Sequence, residues 1–206
     1  MQSSFRLPRV YPLTDVQLSG LSHADQVRLL SLGGAPLVQL REKQMPALQF
    51  YEQARAAVGL NVPLIINDRV DIALALGARG VHLGQDDMPP EAARRLLGEK
   101  AIIGYSTHSV EQAKKAVTLP VDYIAIGPIF TTSSKPNPSP TLGLEGLRAV
   151  RKAVRDAQLV AIGGISHSNA REVIEAGADS VAVISALLSS PDQISEATRI
   201  LIQSLV

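Results

Sequence analysis

The residues best suited to chemistry in this 206-residue chain come in short polar clusters, each directly behind an apolar run. In Gln39-Leu40-Arg41-Glu42-Lys43 the residues Gln39, Arg41 and Lys43 alternate, so at a strand end they share one face while Leu40 and Glu42 take the other. Two cations and an amide on one face suit an anionic ligand, and arginine offers phosphate oxygens a planar two-donor fork. Asn67-Asp68 follows Leu64-Ile65-Ile66, and Gln85-Asp86-Asp87 follows Val81-His82-Leu83-Gly84. Singly, each aspartate reads as a helix N-cap, Asp87 with Pro89 and Pro90 close behind it. Together they could converge on one hard cation. Mg2+ is the natural choice, held by one or two carboxylates while phosphate and water complete its shell. Asp68 and Asp87 beside Arg41 and Lys43 therefore predict a diphosphate–magnesium site.

The segment 127–143, GPIFTTSSKPNPSPTLG, is long for a strand-to-helix connection and rich in Ser, Thr and Pro. Long loops in compact domains are usually functional or disordered. The hydroxyls of this one, with Lys135, would make it a phosphate-binding lid. Gly163-Gly164-Ile165-Ser166 and Ile184-Ser185-Ala186 also follow apolar runs, and glycine there lets backbone approach a ligand closely. The 4 histidines divide. His23 and His167 stand at helix starts and read as surface residues. His82 lies inside an apolar run and reads as a hydrogen-bonded core residue. His108, behind Ser106-Thr107, reads as an acid or base, or as a group that orients its neighbours.

These clusters need a frame that brings them together. Apolar runs at Val10–Thr14, Leu37–Leu40, Leu64–Asn67, Gly80–Leu83, Ile102–Tyr105, Tyr123–Ile126, Leu159–Ile162 and Ser180–Ile184 are mostly too continuous for a half-exposed sheet. They read as buried parallel strands. Helical spacing or composition follows each of them, at His23–Leu32, Pro46–Val58, Val70–Leu76, Pro89–Leu97, Val110–Val117, Leu144–Asp156, Asn169–Ala176 and Gln193–Ser204. Gly98 and Gly177 fall where helix C-caps are expected. Strict alternation predicts an α/β fold, a single (β/α)8 TIM barrel over 1–206, since such a barrel needs about 200 residues and leaves little for a second domain. In that fold the reacting groups sit at the C-terminal strand ends, where Asp15 and all the clusters above fall. Gly163-Gly164 and Ile184-Ser185 would occupy the fold's usual phosphate-binding position, where backbone N–H groups and a short helix start hold the anion.

Composition narrows the class of protein. The 20 basic residues nearly cancel the 19 acidic ones, for a net charge of +1, which argues against nucleic-acid or membrane-surface binding by bulk charge. With 4 Tyr, 3 Phe and no Trp, stacking platforms for single-stranded nucleic acid are not expected. The absence of cysteine excludes disulfides, a thiol nucleophile and Cys-ligated metal centres. No apolar stretch approaches the roughly 18 residues of a membrane span, and Met1 to Arg9 has no apolar core of the signal-peptide kind. A soluble cytoplasmic protein is expected, composition itself naming no activity, with self-association into a homo-oligomer left open.

Taken in chain order, VQLREK at 38–43, LIINDRVDIAL at 64–74, GVHLGQDDMP at 80–89, GYSTH at 104–108, GPIFTTSSK at 127–135, AIGGI at 161–165 and VAVISA at 181–186 resemble the thiamine phosphate synthase family. The resemblance runs from Val10 to about Leu188. It implies a Mg2+-dependent transferase that joins a 4-amino-2-methylpyrimidine methyl diphosphate to a thiazole phosphate and releases diphosphate. It further implies Asp68 and Asp87 as Mg2+ ligands. Gln39, Arg41, Lys43, Asn67, Ser106 and Lys135 would bind the pyrimidine diphosphate, with Leu40 and Glu42 in the same binding motif. Thr132, Ser133, Ser134, Gly164, Ile184 and Ser185 would bind the thiazole phosphate, and Arg41, Lys43, Ser106 and Lys135 would be the catalytic group. The family often has Thr-x-Thr-Lys where this chain has Thr132-Ser133-Ser134-Lys135, so Ser134 keeps a hydroxyl and loses a methyl. Two other readings share the barrel. A thiazole tautomerase type would move protons with a histidine at the His108 position and typically has a degraded carboxylate pattern. A non-catalytic ligand-sensing barrel could keep the phosphate position and lose the metal carboxylates. Both carboxylates stand here, which favours the synthase.

Overall fold

The computed structural model describes residues 5–132 and 140–206. Eight short strands form its centre: β1 (Val10–Pro12), β2 (Val38–Leu40), β3 (Leu64–Asn67), β4 (Gly80–Leu83), β5 (Ile102–Thr107), β6 (Tyr123–Ile126), β7 (Leu159–Ile162) and β8 (Ser180–Val183). All pair in parallel in the order β1-β8-β7-β6-β5-β4-β3-β2. The ring closes between the outer two through a bridge from Leu13 to Gln39, with the Thr14 N–H 2.9 Å from the Gln39 carbonyl. The helices are α1 (Val16–Ser19), α2 (His23–Leu32), α3 (Ala47–Val58), α4 (Val70–Leu76), α5 (Pro90–Leu97), α6 (Val110–Ala116), α7 (Gly143–Val154), α8 (Ala170–Glu175), α9 (Ser185–Leu188) and α10 (Ile194–Ser204). The α/β alternation is that of a (β/α)8 barrel, as the sequence predicts.

The strands are apolar on both faces because both faces are covered. Their outward residues, among them Val38, Leu40, Ile66, Leu83, Ile103 and Ile126, pack against the helices. Their inward residues, Leu13, Leu37, Ile65, Ile102, Ala125, Val160 and Ala182 with Tyr11 and Tyr123, fill the barrel. Several helix starts are fixed locally. Ser22 caps α2 by accepting from the Asp25 N–H, and Ser109 caps α6 by accepting from Gln112. No helix among the described residues is long and apolar enough to cross a membrane.

Three local features depart from the sequence reading. The helices α1 and α9 are four residues each, too short to show a period, and α1 is one turn held by the Asp15 carboxylate accepting from the Leu18 N–H at 3.0 Å. β5 runs on to Thr107. His23 is not a surface residue: it is fully buried, with Nδ1 2.7 Å from Thr14 Oγ1 and the ring tilted against Phe50. The start of α2 is tucked behind β1 and β2, so a helix start here is an interior position. His167 is exposed.

Candidate active site

The C-terminal strand ends surround a cavity of about 470 Å³. Its floor is polar and buried, because period-two alternation turns Tyr11, Gln39, His82, Ser106 and Tyr123 inward on five different strands or their ends. Gly104 makes room for them: a Cβ there would lie 2.1 Å from the Tyr123 ring and 2.5 Å from His82 Nδ1. His82 stacks on Tyr123 with centroids 5.5 Å apart, and Tyr11 meets Tyr123 edge-on at 5.9 Å. Hydrogen bonds run through the group, Gln39 Nε2 to Tyr11 at 3.1 Å, Tyr11 to Tyr123 at 3.0 Å, Tyr123 to His82 Nδ1 at 3.0 Å, and His82 Nε2 to Ser106 Oγ at 2.9 Å. Burial pushes the ionisation of both phenols well above its ordinary range, so both stay protonated.

One wall carries the charges. Arg41 lies at the rim with its guanidinium 3.7 Å from Asp15, and its N–H donates to Thr14 Oγ1 at 3.1 Å. Lys43 forms an ion pair with Asp68. Asp68 sits at φ 62°, a left-handed backbone conformation that aspartate tolerates better than most residues, and its N–H bonds the His82 carbonyl at 2.8 Å. Burial, and then the Asp87 carboxyl at hydrogen-bonding range, hold the Asp68 carboxyl above the usual carboxylate range against the pull of Lys43. Neither aspartate caps the helix behind it. The caps are Arg69 and Pro89, with no side-chain bond, and Asp87 Oδ2 instead accepts from the Gly84 N–H at 2.6 Å. Between the charged wall and the floor, Asn67 Nδ2 is buried and finds no hydrogen-bond partner among the described residues.

The opposite wall holds Thr132, Gly163, Gly164, Ile184 and Ser185. Gly163 and Gly164 have φ of 102° and 66°, and a Cβ on either would strike the 128–131 segment at 2.5–2.7 Å. That segment runs beside the end of β7, with the Ile129 N–H 2.9 Å from the Ile162 carbonyl and the Phe130 N–H 3.0 Å from that of Gly163. The two glycines are thus required by the base of the predicted lid as well as by the cavity they line. His108 also faces the cavity. Its Nδ1 is 2.6 Å from the Gly127 carbonyl, which can only accept, so Nδ1 carries the hydrogen and Nε2 is left as an acceptor.

Of the residues singled out from sequence, the cavity gathers Gln39, Arg41, Lys43, Asn67, Asp68, Asp87, Ser106, Thr132, Gly164, Ile184 and Ser185. It does not gather Leu40 or Glu42. Leu40 is fully buried in the outer core, and Glu42 turns away to accept from the N–H groups of Lys43, Gln44 and Met45. Ser133, Ser134 and Lys135 lie outside the described residues. The sequence reading missed Tyr11 and Tyr123. The available signal was their period-two placement in register with Gln39 and His82 on runs that are otherwise aliphatic. Among the described residues no three or more His, Asp or Glu side chains meet at a point suited to a metal. The facing pair Asp68 and Asp87 fits Mg2+ in another way, since two close carboxylates need a proton or cation between them and this ion takes its other ligands from phosphate and water.

Fold and site together define a (β/α)8 barrel whose mouth brings cations and carboxylates together. The model of the thiamine monophosphate synthase family matches residues 10–187. The chain is 48% identical over 203 residues to a thiamine-phosphate synthase of Koribacter versatilis, covering 94% of this chain and 95% of that one. It is 48% identical over 189 residues to one of Chloroflexus aurantiacus, covering 89% and 87%. The solved structure of a thiamine phosphate pyrophosphorylase from Pyrococcus furiosus superposes with a TM-score of 0.85 at 37% identity, covering 96% of this chain and 95% of that one. The chain belongs to the thiamine monophosphate synthase family.

Proposed function

We infer that this chain joins a 4-amino-2-methylpyrimidine methyl diphosphate to a thiazole phosphate, forming thiamine phosphate and diphosphate, with Mg2+ as its cofactor. The observation that carries the reading is the state of the mouth: a buried Asn67 amide nitrogen without a hydrogen-bond partner among the described residues, beside two facing carboxylates and two cations. A diphosphate arriving with a divalent cation would satisfy all of them at once. Asp68 and Asp87 would hold the Mg2+, whose chemistry there is to neutralise the oxygens of the departing diphosphate.

The chain's own residues supply the rest. Arg41 and Lys43 stand over the same oxygens, Asn67 donates to them from the wall, and Lys135 would add a third cation from the lid. As the bond between the methylene carbon and the diphosphate oxygen breaks, both electrons leave on oxygen and the positive charge spreads into the aminopyrimidine ring. The thiazole nitrogen, held by its phosphate near Gly164, Ile184 and Ser185, closes on that carbon and becomes the cationic centre of the product. No proton leaves the nucleophile, so the work is alignment and charge stabilisation, where one preorganised contact lowers a barrier by about 3–4 kcal/mol. A cytoplasmic setting goes with this reading, in keeping with the lack of cysteine.

The test mixes purified protein with both substrates and Mg2+, with and without EDTA, and follows diphosphate and thiamine phosphate. Product formed only with the metal is the expected result. Thiazole isomerisation without the pyrimidine substrate, or product unaffected by EDTA, would overturn the reading.

A further inference from the structure

The hydrogen-bonded group on the cavity floor has a direction. Gln39 Nε2 can only donate, so the Tyr11 oxygen accepts from it at 3.1 Å. The Tyr11 hydroxyl is fully buried, and its own hydrogen goes to the Tyr123 oxygen at 3.0 Å. Tyr123, having accepted, passes its hydrogen to His82 Nδ1 at 3.0 Å. A neutral imidazole that accepts at Nδ1 carries its hydrogen on Nε2, and here donates it to Ser106 Oγ at 2.9 Å. Run the other way, the Tyr11 oxygen would accept from both neighbours and leave its hydrogen buried without an acceptor among the described residues, an arrangement folded proteins avoid. Burial keeps both phenols protonated, so the chain of donors is not broken by ionisation.

We propose that Tyr11, Tyr123 and His82 are positioning residues that lock Ser106 as a hydrogen-bond donor toward the cavity, so that the ligand atom set against Ser106 is an acceptor such as a ring nitrogen or phosphoryl oxygen. His108 has the opposite tautomer, fixed by the Gly127 carbonyl, and offers an acceptor to the same cavity. The floor therefore discriminates between ligand edges by the direction of its bonds as well as by shape. The direction rests on the hydrogen bonds alone; that the ligand is the pyrimidine substrate rests on the proposed function.

Side-chain 15N NMR of the full chain at neutral pH reads the tautomer of each of the 4 histidines, with His82 identified by the signal lost in His82→Gln. The expected result is the Nε2–H form for His82 in the wild type and a mixture of both neutral forms in Tyr123→Phe. In the same variant kcat/KM for the pyrimidine substrate is expected to fall about tenfold, the size of one lost hydrogen bond, with KM for the thiazole phosphate unchanged. A wild-type His82 with its hydrogen on Nδ1 would overturn the proposal. So would a tautomer indifferent to Tyr123→Phe, or a changed tautomer with unchanged kcat/KM. The expected tautomers in a protein without synthase activity would leave the bond direction standing and remove the proposed function instead.

Discussion

At the N-terminal end of the barrel, Arg94 from α5 donates to the carbonyls of Gly98, Glu99, Ala101 and Pro120 and to Asp122 at 2.8 Å, and Asp122 accepts from the Ile103 N–H at 2.8 Å. Arg151 from α7 does the same with the carbonyls of Arg155, Ala157 and Gly177 and with Asp179 at 2.6 Å, which accepts from the Leu159 N–H at 2.8 Å. In both clamps arginine and aspartate are 28 residues apart, so each ties a helix to the strand after next. At the C-terminal end the same residue types are arranged differently. Arg41 lies 3.7 Å from Asp15, Asp68 is shared between Lys43 and the facing Asp87, and the Asn67 amide nitrogen finds no hydrogen-bond partner among the described residues. Charge whose donors are largely matched by carbonyls and a carboxylate of the same chain closes the barrel and has little left for a ligand. Two carboxylates left facing each other cost stability until a proton or cation comes between them.

Exchanging one carboxylate at each end of the barrel separates the two uses. The largest effect is expected at the mouth: Asp68→Asn should lower turnover by about 10²–10³-fold, the scale of one lost electrostatic contact, while the thermal midpoint holds or rises. Asparagine tolerates the left-handed backbone at this position too. Diphosphate release with a parallel melt checks both halves, and near-normal turnover at saturating Mg2+ would remove Asp68 from the metal site. Asp122→Ala should do the reverse. It strands the Arg94 guanidinium in a clamp whose two side chains are 13% and 9% exposed. A loss of about 3 kcal/mol is expected for breaking such a pair, or roughly 6–12 °C in Tm, with turnover intact at temperatures where the protein stays folded. Asp179→Ala removes the equivalent carboxylate from the second clamp, where it is 47% exposed and water can replace it. About 1 kcal/mol, or roughly 2–4 °C, is expected there. Equal losses in the two variants, measured by urea melts, would mean that burial does not rank the clamps.

The eight strands were legible because a barrel strand is covered on both faces and so reads as an unbroken apolar run. Gln39, Arg41 and Lys43 were legible because alternation alone puts them on one face, whatever the closure of the barrel. Asp68 and Asp87 were only half legible, since aspartate behind a strand serves a helix cap and a metal equally well. The backbone removes only the capping role, through φ 62° at Asp68 and the Gly84 N–H that Asp87 accepts; the metal role is the proposal. Tyr11 and Tyr123 escaped notice because their meeting depends on strands far apart in sequence and on the space left by Gly104. His23 misled for the converse reason: a polar residue at a helix start suggests the surface, and only the packing of α2 behind β1 and β2 shows otherwise.

That histidine supplies the smallest effect and a third use of charge, directly behind the mouth. His23 Nε2 lies 3.5 Å from Glu42 Oε2, in a cluster that anchors the backbone between Arg41 and Met45. Burial outweighs the attraction of Glu42 and lowers the pKa of the imidazole, whereas in the unfolded chain it takes a proton near pH ~6.5. As the pH falls below that value the unfolded state binds the proton first. Stability present at neutral pH is therefore lost, by up to about 1.4 kcal/mol per pH unit, until the folded protein protonates as well. Urea melts between about pH 7.5 and pH 5 should show this slope in the wild type and a flatter one in His23→Gln. A slope retained in the variant would assign the acid sensitivity to other groups, and would leave His23 as a packing residue against Phe50 and Thr14.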